Sequence, residues 1–147
     1  MKITFLGGGN MAAALIGGLV KQGFAAADLQ VVELSAEGRS KLQDSFGVRA
    51  VEAFDEQALA CDVLVLAVKP QQMKVALVPI SGRLDKQVVV SIAAGLRMAD
   101  IGRWLGGHTR LVRAMPNTPA LIGAGITGLY ADRSEEHTSE LQSLRHL

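Results

Sequence analysis

The sequence predicts a doubly wound α/β fold, a mainly parallel sheet with helices on both faces. Three observations predict it. Short apolar, β-branched runs alternate with mixed stretches of helical character along most of the chain. The run Val63-Leu64-Val65-Leu66-Ala67-Val68 is apolar without interruption, as a parallel strand covered on both faces requires. Near the start, Ile3-Thr4-Phe5-Leu6 breaks on Gly7-Gly8-Gly9 and resumes as an Ala/Leu/Ile segment, which reads as strand, tight turn and helix.

The elements follow in order. Ile3 to Leu6 is the first strand, and Asn10 to Lys21 the first helix, ending near Gly23. Gly17 and Gly18 inside it cost about 1 kcal/mol each relative to alanine, which close helix–sheet packing is expected to offset. Leu29 to Val32 is a strand ending at Glu33. Ser35 to Phe46 reads as a polar-faced helix with Ser35 as N-cap and a start weakened by Gly38. A short strand over 48–51 and a short helix over 55–60 precede the 63–68 strand, which Lys69-Pro70 stops. Residues 71–78 are helical, 88–92 a buried strand, 98–105 a helix closed by Gly106-Gly107, and 109–114 a strand. Met115-Pro116-Asn117-Thr118-Pro119 must be a constrained loop, because each proline fixes its own φ and restricts the residue before it. Residues 122–130, rich in glycine and β-branched side chains, are assigned to a last strand.

The glycine break carries the first chemical signal. Gly7-x-Gly9-x-x-Ala12 has the dinucleotide-binding spacing, G-x-G-x-x-G/A. Gly7 permits the sharp turn, Gly9 leaves room for a pyrophosphate, and Ala12 lets helix and strand approach. The helix start offers free N–H groups and roughly half a positive charge to an anion. A turn that binds nothing satisfies the same spacing; the position directly after a strand and opening a helix favours the dinucleotide. Glu33 lies about twenty residues on, where an acidic group can accept from the adenosine ribose hydroxyls; a solvated charge at a strand end fits that position equally well.

Composition excludes several classes. About half of the 147 residues are hydrophobic (49%), enough for one domain with a sizeable core. A net charge of +1 gives no electrostatic footprint for nucleic acid or an anionic membrane. One cysteine, Cys61, excludes an intrachain disulfide and reads as a small buried residue. The apolar stretch after Lys2 is too short for a signal peptide, no run reaches membrane-spanning length, and a cytoplasmic location is the expectation. No metal-ligand spacing and no dedicated general acid are evident in residues 1–132, so no catalytic side chain is named.

Residues 133–147 break with everything before them. Arg-Ser-Glu-Glu-His-Thr-Ser-Glu-Leu-Gln-Ser, residues 133–143, resembles the in-frame translation of a short-read sequencing adapter, and residues 144–147 fit an index sequence. The reading is a domain over 1–132, a non-native polar tail over 133–147, and a gene cut near Asp132. His137 and His146 are then neither metal ligands nor bases. The competing reading is a natural polar tail, and the coding DNA decides between them.

Four segments together carry a family resemblance: Phe5-Leu6-Gly7-Gly8-Gly9-Asn10-Met11, Ala67-Val68-Lys69-Pro70, Val90-Ser91-Ile92-Ala93-Ala94-Gly95, and Arg113-Ala114-Met115-Pro116-Asn117-Thr118-Pro119-Ala120. In order and spacing they resemble the N-terminal, Rossmann-type domain of pyrroline-5-carboxylate reductase, over residues 1 to about 132. The first segment alone fits many reductases; the last, with the other three, is far more specific. The resemblance implies hydride transfer from NADPH or NADH to the C=N carbon of 1-pyrroline-5-carboxylate, giving L-proline. It implies that Leu6, Gly7, Gly8, Gly9, Asn10 and Met11 wrap the pyrophosphate. Ala67, Val68, Lys69 and Pro70 lie along the adenosine and ribose, with Glu33 and Ser35 nearby. Ala93, Ala94 and Gly95 approach the nicotinamide half, and Asn117 sits by the nicotinamide and the substrate. It also implies a homodimer or higher homo-oligomer formed by a C-terminal helical domain that this chain lacks. The fragment is expected to bind a dinucleotide weakly and to reduce no substrate.

Two features depart from the family's pattern. Glu33 repels a 2′-phosphate and argues for NADH, whereas Ser35 and Arg39 can rescue NADPH, so the choice stays open. Phe54 stands where some members place an asparagine near the adenosine ribose. Arg113 reads as structural or interfacial, Trp104 as core, and His108 as an exposed turn residue. The alternatives are a β-hydroxyacid-dehydrogenase-like reductase, which the 115–119 loop speaks against, and a non-catalytic dinucleotide-binding module.

Overall fold

Strands that are apolar on both sides must be covered on both sides, and the chain achieves this by alternating them with helices. The computed structural model describes residues 1–114 together with Gly125 and Ile126. Its elements are β1 (Ile3–Leu6), α1 (Asn10–Lys21), β2 (Leu29–Val32), α2 (Ala36–Phe46), β3 (Arg49–Val51), α3 (Glu56–Leu59), β4 (Val63–Leu66), α4 (Pro70–Leu77), β5 (Val88–Ser91), α5 (Met98–Trp104) and β6 (Leu111–Arg113). The strands form one sheet in the order β3-β2-β1-β4-β5-β6, with every pairing parallel. This is the doubly wound order whose direction reverses between β1 and β4.

The core divides between the two faces. Ile3, Phe5, Val31, Val63 and Val65 pack with Leu15, Ile16 and Leu19 of α1 and Leu42 of α2. Leu6, Leu64, Leu66 and Val89 pack on the other face with Ala58 of α3, Met73 and Leu77 of α4, and Ile101 of α5. Each fully buried aliphatic side chain of this kind contributes roughly 1.5–3 kcal/mol. Thr4 is fully buried among them, and its hydroxyl donates to the Ala58 carbonyl at 2.7 Å, so no polar group is orphaned there.

Local chemistry sets the boundaries. Ser35 caps α2 by accepting from the Gly38 N–H at 3.1 Å, and Asp55 caps α3 by accepting from the Ala58 N–H at 2.8 Å. β4 is two residues shorter than its apolar run. Ala67 still donates to the Leu6 carbonyl at 2.8 Å, but Lys69 becomes the N-cap of α4 and Pro70 its first residue, where a missing N–H is tolerated. Residues 26–28 form a 3₁₀ turn, an element with no periodic signal in the sequence. Gly17 faces not the sheet but the ring of Phe46, where an added Cβ would stand 3.4 Å from Cε1. Its close packing is therefore helix on helix.

Some expectations fall beyond the described residues: the 115–119 loop with Asn117, most of residues 122–130, and the 133–147 tail. Of the expected last strand, only Gly125 and Ile126 are described; they are helical, and Ile126 is buried in the core shared with α1 and α2. Among the described residues no helix is long and apolar enough to cross a membrane.

Candidate functional site

The carboxyl ends of β1, β2 and β4 are level, with Leu6 in register with both Val32 and Leu66. The chain leaves each strand there and opens a crevice at the switch point, where open α/β sheets place their ligands. Gly7 turns the chain off β1 with φ +98°, and its N–H donates to the Val32 carbonyl at 2.9 Å. A Cβ at Gly7 would lie 2.9 Å from the Ala67 carbonyl oxygen, so the residue is fixed by conformation and by space.

Gly8 and Gly9 differ. A Cβ at Gly8 would meet Leu42 Cδ1 at 2.8 Å and the Glu33 stem at 3.1 Å. A Cβ at Gly9 would meet nothing within 4 Å. Gly9 is the N-cap of α1 and supplies no side-chain cap, and the first turn holds no acidic residue. The N–H groups that open α1 are therefore offered outward across free space, next to the exposed Asn10 and Met11. Open space at Gly9 before an uncapped helix is the cradle that a diphosphate fits. Ala12, fully buried, closes the motif against the sheet.

Glu33 stands beside this loop, and its carboxylate is not merely solvated. One oxygen accepts from the Gly8 N–H and the other from the Ser35 N–H, both at 2.8 Å. Its stem lies where Gly8 and Gly38 have no side chains, at 3.1 and 3.2 Å from the Cβ each would carry. Gly38, costly to a helix start, is thus the space Glu33 occupies. Arg39 donates through Nη1 to the carbonyls of Glu33 and Leu34, each at 2.8 Å.

A cleft of about 560 Å³ opens from this point between the ends of β1 and β2, the 52–54 segment and α4. Of the residues selected from the sequence, it gathers Leu6, Gly7, Glu33 and Val68 on its wall, and Phe54 with them. Leu34, Glu52, Gln71, Gln72, Val75 and Pro79 also line it, and none of these was singled out from the sequence. No sequence signal marked the apolar pair Leu34 and Val75; only the fold shows them 80% and 76% exposed on the wall.

Of the remaining selected residues, those after β4 and β5 follow the carboxyl ends of their strands but are not on the cleft wall, and Asn117 lies outside the described residues. Lys69 and Pro70 are exposed at the start of α4. Beyond β5, Ala93 is buried and donates its N–H to the Ser91 hydroxyl at 3.4 Å, while Ala94 and Gly95 are exposed and Gly95 has φ +79°. Arg113 donates to the Leu96 carbonyl, a structural role. Trp104 packs with the core on the α5 face. His108 is not a free turn residue: its Nε2 lies 2.8 Å from the Gln87 carbonyl, partly buried.

Burial pushes the Cys61 thiol up to about 11, so it is an inert neutral group. The Arg49 guanidinium and the Ala58 N–H hold Asp55 down at about 2. Neither residue lines the cleft. Among the described residues no group of three His, Cys, Asp or Glu side chains is placed to hold a metal.

Comparison with known proteins bears on this geometry. Residues 2–95 match the family described as NADP oxidoreductase, coenzyme F420-dependent. A pyrroline-5-carboxylate reductase of Pseudomonas aeruginosa is 46% identical over 132 residues, covering 89% of this chain and 48% of its own length. The structure of a pyrroline-5-carboxylate reductase from Coxiella burnetii superposes with a TM-score of 0.73 at 36% identity, over 82% of this chain and 46% of that one. That of the Plasmodium falciparum pyrroline carboxylate reductase, with NADP bound, gives 0.69 at 27% identity over 85% and 45%. The chain therefore spans about half the length of the relatives it matches.

Proposed function

As the chain belongs to the NADP oxidoreductase, coenzyme F420-dependent family, we propose that it is the cofactor-binding part of a pyrroline-5-carboxylate reductase, reducing 1-pyrroline-5-carboxylate to L-proline with NADH or NADPH. The observation that carries the reading is the free space over Gly9 before the uncapped start of α1, at the sheet's switch point.

In this reading the N–H groups opening α1 hold the pyrophosphate, with Leu6, Gly7, Gly8, Gly9, Asn10 and Met11 around it. Glu33 and Ser35 stand at the adenosine ribose, and the apolar wall of Leu34, Val68 and Val75 takes the adenine. Ala67, Lys69 and Pro70 flank the ribose from the β4 side. Ala93, Ala94 and Gly95 meet the nicotinamide half through backbone groups, and Asn117 lies between it and the substrate. The bound dihydronicotinamide supplies the hydride. A protonated imine is already a good hydride acceptor, so the protein's task is to orient two reactants and exclude water.

The reading assigns residues 1–132 to the cofactor domain and the substrate pocket and homo-oligomer contacts to a helical domain; the enzyme is cytoplasmic. Calorimetric titration of the chain with NADH and with NADPH tests it, alongside an assay of pyrroline-5-carboxylate-dependent oxidation of each. The expected result is binding without turnover by this chain, and turnover once the helical half is supplied. Binding of neither dinucleotide would overturn the reading, and turnover by the chain alone would overturn the division of labour.

A further inference from the structure

Resting on that reading, we infer that Glu33 makes this chain select NADH over NADPH. The carboxylate sits at the end of β2 with its stem between Gly8 and Gly38, where a Cβ at either position would crowd it at 3.1–3.2 Å. Each oxygen accepts one N–H, from Gly8 and from Ser35. An ionised carboxylate offers about four lone-pair sites, so about two remain, one on each oxygen. That number matches the two hydroxyls of an unmodified adenosine ribose, which can donate to both.

A 2′-phosphate has no proton to give at neutral pH and would place a dianion against this carboxylate. The groups that could compensate are already partly engaged by the chain itself. The Ser35 N–H is used by Glu33. The Ser35 hydroxyl oxygen accepts from the Gly38 N–H as the cap of α2. Arg39 holds its Nη1 on the carbonyls of Glu33 and Leu34. The anion position at this corner is filled by the protein's own carboxylate. Glu52 and Glu33 both line the cleft, whose described wall includes no Lys or Arg.

The test is competitive and needs no substrate. Dissociation constants of the chain for NADH, NADPH, 5′-ADP and 2′,5′-ADP are measured by calorimetry at one ionic strength, for wild type, Glu33→Gln and Glu33→Ser. Wild type is expected to bind NADH at least tenfold more tightly than NADPH, and 5′-ADP more tightly than 2′,5′-ADP. Both substitutions are expected to bring the NADH-to-NADPH ratio within threefold, partly by tightening NADPH, an effect that a loss of folding cannot produce. Wild type that binds NADPH as tightly as NADH would overturn the inference while leaving the dinucleotide reading standing. Wild type that binds neither would overturn both. The wild-type comparison decides even if a variant fails to fold.

Discussion

The Glu33 carboxylate accepts the Gly8 N–H at 2.8 Å, tying the loop after β1 to the end of β2. With the second oxygen on the Ser35 N–H, one partly buried side chain organises two of the turns that edge the cleft. Hydrogen bonds to a charged acceptor contribute about 1.5–3 kcal/mol, and losing the acceptor strands a partly buried donor. Glu33→Ala is therefore expected to lower unfolding stability by about 1–3 kcal/mol, read from the urea midpoint. Glu33→Gln, which keeps the stem and one acceptor oxygen, should lose less. Equal stability of Glu33→Ala and wild type would show that the clasp does not hold the loop.

Gly7 and Gly9 separate folding from binding. Gly7→Ala forces a side chain into φ +98° and a Cβ to 2.9 Å from the Ala67 carbonyl oxygen. The expected cost is about 1–3 kcal/mol of stability. Gly9 has φ −78° and ψ −166°, which any residue adopts, and free space around it. Gly9→Ala should leave the melting temperature nearly unchanged and weaken dinucleotide binding at least tenfold. A Gly9→Ala protein that binds like wild type would remove the pyrophosphate from this loop.

Leu34 and Val75 expose most of their surface on the cleft wall, so charge placed there should disturb the ligand and not the fold. Leu34→Asp and Val75→Asp are each expected to leave urea unfolding within about 0.5 kcal/mol of wild type. Affinity for 5′-AMP should fall severalfold in each, measured by competition against a dinucleotide. Undiminished 5′-AMP binding in both would place the adenine elsewhere.

Much of this arrangement was legible in the residues. Mainly apolar runs placed β1, β2, β4 and β5, because a parallel strand buried on both faces has no alternation to hide. Ser35 announced its helix as a cap. The glycine spacing located the turn, since few other residues fit there. The cleft wall was not legible, because α4 carries its apolar residues all round and only the packed structure shows that Val75 faces outward while Met73 and Leu77 face in. Gly38 looked like a defect in α2 until Glu33 was seen to fill its space. The same holds for Gly17, whose partner Phe46 is distant in sequence. Such long-range complementarities leave no periodic trace.

Arg49 donates to both carboxylate oxygens of Asp55, one at 3.2 Å, and also to the Gln30 side chain at 2.9 Å. The contact with Arg49, followed by the Ala58 N–H, lowers the Asp55 pKa from an ordinary 3.8 to about 2. A depressed folded-state pKa means that the unfolded chain takes up this proton first as pH falls. The stabilisation is then complete above about 3.8 and is lost as pH drops through about 2. Asp55→Asn keeps a good N-cap for α3 while removing the charge. It should be less stable than wild type at neutral pH, and the difference should shrink between about pH 4 and pH 2, followed by urea unfolding at a series of pH values. The pair is surface-exposed, so the difference should also diminish in high salt. Equal stability of the two proteins at every pH from 7 to 2 would assign the role of Asp55 to its cap alone.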